Sequence, residues 1–334
     1  MTKNYVRRTA PPSGSQRSPM KKKTTGYLFI LLTTVIFSTM EVMLRYTRGL
    51  FAPMQITYLR FLIGGIALIS FAAASLKKHS AKLAARDLCY FALTGFMCVS
   101  FSMIMYQIAI LRTSASFVSV AFSSNPVFVT ILAALLLKEK IRPNHVIALV
   151  IEVIAILVIV APWNNTLDTT GVILTIAASV AFAFYMILGK KKTPSFGGIV
   201  VTCMTFLFGS CELLLLLLIG HSAGGAAFFD GLGLSIFANV PLLPAMPKEA
   251  VLPFLYICLI NSAAGYVCHM LALEKTSASE TNLVYFLKPI LSPLIALVFL
   301  KEVITANMWL GIFLFLIGSA AAVLPGIIAQ RKQH

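Results

Sequence analysis

Residues 113–141 read TSASFVSVAFSSNPVFVTILAALLLKEKI, and residues 276–304 read TSASETNLVYFLKPILSPLIALVFLKEVI. Aligned without a gap at an offset of 163, the two stretches agree at 10 of 29 positions, including Pro126/Pro289 and Lys138-Glu139/Lys301-Glu302. The same offset continues into Asn144/Asn307 and Pro162/Pro325. Upstream, Thr25-Gly26 matches Thr170-Gly171 at an offset of 145. The growth by 18 is absorbed in loops, about 12 residues at 76–87 against about 30 at 220–249. Self-similarity at a fixed spacing marks a duplicated structural unit.

The unit is a membrane one. Of 334 residues, 59% are hydrophobic and 11% charged, and the mean hydropathy is +0.90. A soluble domain carries roughly a quarter charged residues, so this chain cannot build a charged shell and must turn apolar surface to lipid. Apolar runs of about 18–23 residues, long enough to cross a bilayer, fall at 26–46, 54–75, 88–110, 114–137, 144–161, 171–189, 199–219, 250–273, 280–300 and 306–325. The apolar stretch 231–246 is short and interrupted by Pro241 and Pro244, which predicts an interfacial or external segment.

The expected fold class is thus all-α integral membrane, with ten transmembrane helices as two five-helix repeats at 26–161 and 171–325. An odd number of spans per repeat makes the copies run in opposite directions across the bilayer, the inverted repeat of many secondary transporters. Residues 1–25 are polar and basic and are expected to form a disordered cytoplasmic tail; 326–334 form a second one. With the N-terminus inside, 20 of the 27 Lys and Arg fall on the inner side, five fall outside, and Arg60 and Lys288 lie within spans. Such a bias predicts cytoplasmic termini in a multi-pass protein of the plasma (inner) membrane.

Ala52-Pro53 leading to Leu59-Arg60-Phe61, the Ala272–Ala278 entry, and the Leu-Lys-Glu helix ends at 137–139 and 300–302 resemble the drug/metabolite transporter superfamily, specifically its EamA-like family. The resemblance covers about residues 26–325. It implies ten helices, cytoplasmic termini, a central cavity between the first four spans of each half, and peripheral fifth and tenth spans. Solutes in that family range over amino acids, nucleotide sugars, sugar phosphates, purines and drugs.

Ionisable groups inside hydrocarbon are costly and usually face a cavity or a partner. Glu41 and Arg60 sit about 7 and 6 Å from the centres of consecutive spans on the same side, which suggests an ion pair, while the family resemblance favours a structural Arg60. Lys288 lies near mid-span between Tyr285 and Pro289, and Pro293 follows; prolines free backbone carbonyls and suit a cavity-lining helix. Thr281, Tyr285, Lys288 and Ser292 form one polar stripe, and Thr34, Ser38, Glu41 and Arg45 another. Asn125, before Pro126, is the repeat equivalent of Lys288. His269, Asn261 and Tyr266 on the eighth span, Tyr106 and Gln107 on the third, Tyr185 on the sixth, and Asn282 complete the polar set; a membrane histidine is more often a packing hydrogen-bonder than a proton carrier. The substrate-binding set is therefore Lys288, Tyr285, Asn125, His269, Glu41, Asn282, Tyr106 and Tyr185, with Arg60, Pro126 and Pro289 as ion-pair or structural residues. Glu152, in a span the family places at the periphery, fits a protonated acid, a snorkelling one or a homodimer contact. Glu212 has no evident partner.

No G-x-S-x-G, Walker sequence or metal-ligand spacing is present, so neither an enzyme nor an ATP-driven pump is expected, and no cofactor or metal. The six cysteines read as small buried hydrophobes. The net charge of +16 comes from short clusters between spans, which argues against nucleic acid. The expected function is a secondary transporter, exporting or exchanging a small polar metabolite such as an amino acid. A lipid-linked carrier flippase of the same architecture, or a non-transporting membrane receptor, remains open. The expected partners are the solute and the lipid bilayer.

Overall fold

The computed structural model describes residues 19–137, 143–160, 168–243, 247–276, 278–281 and 283–331, and every regular element among them is helical. Among the described residues, seven helical segments are long and apolar enough to cross a membrane: Thr24–Tyr46, Pro53–Lys78, Ala85–Arg112, Ala115–Leu136, Thr169–Phe196, Gly198–His221 and Lys248–Lys275. Val146–Ile159, Leu287–Leu300 and Ala306–Gly318 are shorter apolar helices. The last lies within α16 (Ala306–Arg331). This is a multi-pass membrane architecture, because helices alone satisfy every backbone polar group within a lipid-facing segment. The first helix, α1 (Pro19–Ser38), begins seven residues before the expected span and takes in Lys21–Lys23. After the short helix Ala223–Gly231, the described residues up to 243 hold only a 3-10 turn at Ser235–Phe237, too little to span.

Several spans are broken where their chemistry says they should be. α1 ends at Ser38 and α2 (Met40–Tyr46) follows after Thr39. The hydroxyls of Thr34, Ser38 and Thr39 donate to the carbonyls of Ile30, Thr34 and Ile36, and such back-bonding bends helices. The Asn261 amide donates to the Ile36 carbonyl at 2.8 Å and to the Thr39 hydroxyl at 3.0 Å, closing the gap. The 114–137 span divides into α6 (Ala115–Phe122) and α7 (Asn125–Leu137), with the Ser123 and Ser124 hydroxyls bonded back to Ser119 and Ala121 carbonyls.

The segments 85–112 and 248–275 correspond at the 163 offset, and both widen into π-helix, at Phe96–Met103 and Tyr256–Ala264. The flanking pieces are α4 (Ala85–Gly95) with α5 (Ile104–Arg112), and α12 (Lys248–Leu255) with α13 (Gly265–Lys275). Packing repeats in the same way. α1 lies on α13, as α9 (Thr169–Phe196) lies on α5; α3 (Pro53–Lys78) packs on α10 (Gly198–His221), and α8 (Pro143–Val160) on α16. Gly26 approaches Lys275 and Thr276, and Gly171 approaches Arg112 and Thr113, each so closely that a Cβ would collide with the threonine methyl. Residues one offset apart also meet. Phe61 packs edge-on against Phe206 at 4.7 Å between centroids, and the Tyr266 hydroxyl donates to Met103 Sδ at 3.2 Å.

Candidate functional site

The break at Thr39 starts α2 with Glu41 in its first turn, fully buried. Facing it is α15 (Val284–Leu300), which carries Lys288, Pro289 and Pro293. Lys288 Nζ lies 2.5 Å from Glu41 Oε1, with the side chains 1% and 0% exposed. The Tyr106 hydroxyl donates to the same oxygen at 2.5 Å, and the Ser292 hydroxyl to Glu41 Oε2 at 3.4 Å. Lys288 Nζ also sits 5.3 Å from the centre of the Phe122 ring. An ion pair this dry is stable only where geometry is close and the remaining lone pairs are hydrogen-bonded. Both conditions are met here, by α2, α5 and α15 together.

A less satisfied polar layer borders the pair. Tyr285, one turn before Lys288, is buried with its ring 6.1 Å from His269 and its hydroxyl 3.7 Å from Met186 Sδ. His269 is buried, 5.7 Å from the Phe37 ring, and neither ring nitrogen has a hydrogen-bond partner among the described residues. Asn125 opens α7; its amide nitrogen donates to the Ser179 carbonyl at 2.8 Å, while Oδ1 has no partner among the described residues. Pro126 has no N–H to offer the Phe122 carbonyl, which accepts from the Ser179 hydroxyl at 3.4 Å instead, and the Thr130 hydroxyl donates to the Pro126 carbonyl at 2.8 Å. Tyr185 is buried against Phe182 at 5.3 Å. Asn282 lies outside the described residues.

The Glu41–Arg60 pair suggested by depth is not formed. Arg60 is fully buried, but its Nη1 points to Met40 Sδ at 3.5 Å and its guanidinium stacks 4.4 Å from the Phe61 ring centre. Equal depth did not bring the two charges onto facing sides, and Glu41 takes its cation from α15 instead.

Sequence reasoning missed the role of Glu302. Its carboxylate accepts from the amides of Ala115 and Ser116 at 3.0 and 3.1 Å and from the Ser116 hydroxyl at 2.8 Å, and Arg45 Nε lies 3.4 Å away. Arg45 also donates to the Ile110 and Thr113 carbonyls. The repeated Leu-Lys-Glu was the available signal, since a carboxylate suits an exposed helix start. At the same end of the bundle Asp168 caps α9, accepting from the Gly171 amide at 2.9 Å and from Arg112 at 3.3 Å. The amide first, then the guanidinium, holds its carboxyl below the usual range. Glu212 gains a partner in the Ser100 hydroxyl, at 2.8 Å. Glu152 is buried beside Gly318, between α8 and α16. The cysteines are all free, but Cys89 and Cys211 are exposed, correcting the expectation of six buried thiols: both sit on helix faces turned away from the bundle.

The chain matches the EamA-like transporter family twice, over residues 24–161 and 169–324. A Clostridium kluyveri protein named an uncharacterized transporter is 33% identical over 308 residues, covering 90% of this chain and 92% of that one. An Archaeoglobus fulgidus protein of the same description is 24% identical over 301 residues, covering 87% and 96%. A Streptantibioticus cattleyicolor protein named a probable terminal-alkyne amino-acid exporter is 25% identical over 226 residues, covering 66% and 67%. One solved crystal structure superposes with a TM-score of 0.63 at 17% identity, over 92% of this chain and 98% of its own, a likeness of fold alone. With two matched segments that together take in most of its length, this chain belongs to the EamA-like transporter family.

Proposed function

We propose that the protein is a secondary transporter that exports or exchanges a small polar metabolite, an amino acid above all, by alternating access. The observation that carries this reading is the dry Glu41–Lys288 pair, 2.5 Å long, joining a helix of the first repeat to a helix of the second. A zwitterionic solute takes over both charges: its carboxylate goes to Lys288 and its ammonium to Glu41, while the Tyr106 and Ser292 hydroxyls keep the remaining lone pairs bonded. Tyr285, Asn125 and His269 offer hydrogen bonds to the solute from the adjoining layer, and Tyr185 and Asn282 extend it. Only a ligand with differential affinity for two arrangements can shift a two-state equilibrium. A solute that breaks this bond has that property, because the bond ties the two repeats together. The amino-acid exporter among the relatives favours the same solute class.

The architecture of this reading is ten spans in two inverted five-helix repeats, 26–161 and 171–325. It has short tails at 1–25 and 326–334, both termini in the cytoplasm, and a place in the plasma membrane. Its support is the duplicated packing: α1 on α13 mirrors α9 on α5, and Phe61/Phe206 and Met103/Tyr266 are equivalent residues in contact. The outward apolar faces of α8 and α16 are where a homodimer would meet. Lys288→Ala combined with Glu41→Gln, which leaves no stranded charge, is expected to lose amino-acid counterflow in proteoliposomes while remaining folded. Flux equal to wild type would remove Lys288 from the solute site and end this reading.

A further inference from the structure

Where α3 and α13 end and α10 begins, the three helices enclose a cavity of about 270 Å³. That is far more than the roughly 30 Å³ of one water. Its lining changes character along the helices. Phe71 on α3 and Leu271 on α13 form one end; Lys78 and Lys275, seven and four residues further along the same helices, form the other. At 1.5 Å per residue the change from apolar to cationic takes about 6–10 Å. Ile199 on α10 adds to the apolar wall, and Phe71 is 62% exposed, so this end opens sideways toward lipid.

The cationic end is built rather than incidental. His79, which closes α3, donates its Nδ1–H to the Ser75 carbonyl at 2.8 Å, and the Ser75 hydroxyl donates to the Phe196 carbonyl at 3.3 Å. Gly197 turns the chain from α9 into α10 with φ +81°, and a Cβ there would lie 2.9 Å from Ser75 Oγ and 3.0 Å from His79 Cε1. The one acid in the lining, Glu274, faces the start of α10, where its Oε2 accepts from the Gly198 amide at 3.0 Å. Neither Lys78 nor Lys275 forms an ion pair among the described residues.

We propose that this cavity binds the headgroup of an anionic phospholipid, with the phosphodiester between Lys78 and Lys275 and an acyl chain along Phe71, Leu271 and Ile199. A soluble phosphate matches the lysines but leaves the apolar end empty. A lipid without net charge matches the apolar end but leaves the two ammonium groups uncompensated. Basic pockets between spans at the cytoplasmic surface suit anionic headgroups, and the proposed topology turns this end of the bundle to the cytoplasm. Because α3 belongs to the first repeat and α10 and α13 to the second, the lipid joins the repeats at a place that includes neither Glu41 nor Lys288. The site needs the membrane architecture but not the carrier reading: binding is read without flux, so loss of transport with lipid binding intact would sink only that reading.

The test is thermal unfolding of the full chain in a nonionic detergent, with phosphatidylglycerol, phosphatidylethanolamine or phosphatidylcholine added at equal mole fraction. In the wild type the midpoint is expected to rise saturably with phosphatidylglycerol, and further than with the other two, as linkage requires of a ligand that binds the folded state. Lys78→Gln with Lys275→Gln is expected to remove that excess. Lys77→Gln with Lys191→Gln, which takes the same charge from exposed positions outside the lining, is expected to keep it. Ala74→Trp, which fills the cavity, is expected to lose it with both lysines in place. The proposal is overturned if the wild type shows no excess, if the excess survives Lys78→Gln with Lys275→Gln, or if Lys77→Gln with Lys191→Gln loses it equally. A rise reproduced in full by water-soluble glycerol phosphate also overturns it, in favour of a free anion. Should the Lys78/Lys275 variant fail to fold, Ala74→Trp decides, and an undiminished excess there ends the proposal.

Discussion

Removing the Lys288 ammonium leaves the Glu41 carboxylate fully buried, with only the Tyr106 and Ser292 hydroxyls to hold it. Stranding one member of a buried pair costs about 3–5 kcal/mol, whereas replacing both members with uncharged groups of similar shape is often close to neutral. Lys288→Met is therefore expected to lower the unfolding midpoint strongly, and Glu41→Gln combined with Lys288→Met to recover most of the loss while remaining transport-dead. A double variant as unstable as the sum of the two single ones would mean that the pair does not couple them. That Glu41 and Lys288 are both buried in the bundle was legible from the cost of charge in hydrocarbon. Which cation Glu41 meets was not. A rise per residue gives depth along a helix, but the azimuth of Glu41 depends on the break at Thr39, and that break is closed by Asn261 from 222 positions away. Arg60 lies at similar depth and turns to Met40 and Phe61 instead.

At the scale of elements, helix starts determine which residues matter. Glu302 reaches across 187 positions to the first amide of α6. A pattern search for caps looks three residues along the chain, so the motif was visible in both repeats while its destination was not. Hydrogen bonds to a charged acceptor contribute about 1.5–3 kcal/mol each, so Glu302→Ala is expected to destabilise the protein clearly, and Glu302→Gln less, since one carbonyl oxygen remains. Equal midpoints for wild type and Glu302→Ala in chemical unfolding would show the contact to be idle. Asp168 gives a pH signature. Its folded-state carboxyl lies below the ordinary value because Gly171 and Arg112 favour the anion. The stabilisation it gives is therefore present above about pH 4, the unfolded value, and disappears as pH falls through the depressed folded one. The midpoint difference between wild type and Asp168→Asn is expected to be constant from pH 7 to 5 and to shrink on further acidification. A difference that grows with acid would contradict the cap.

At the scale of the whole molecule, the TSAS…KE duplication already implied two units of the same build, and the composition already placed them in lipid. What the duplication could not say is how the copies meet, because a sequence repeat carries no information about the surface between its members. That surface is made of particular contacts: Gly26 against Lys275–Thr276 and Gly171 against Arg112–Thr113, with Phe61 on Phe206 and Met103 under Tyr266. Residues that touch their own equivalents lie on the axis relating the halves, and an axis in the membrane plane turns one copy upside down. With five spans per copy, the two arrangements then predict different sidedness. An inverted pair brings Lys78 and Lys191 to one face, together with both termini, and puts Arg48 on the other; two copies of equal orientation require an extra crossing between them. In a cysteine-free background, Arg48→Cys is expected to react with a membrane-impermeant maleimide in intact cells, and Lys78→Cys and Lys191→Cys only after permeabilisation. Labelling of Lys191→Cys but not Lys78→Cys in intact cells would place the halves parallel. The Glu41–Lys288 bond would then be a contact within a static bundle rather than a seam that opens to either side.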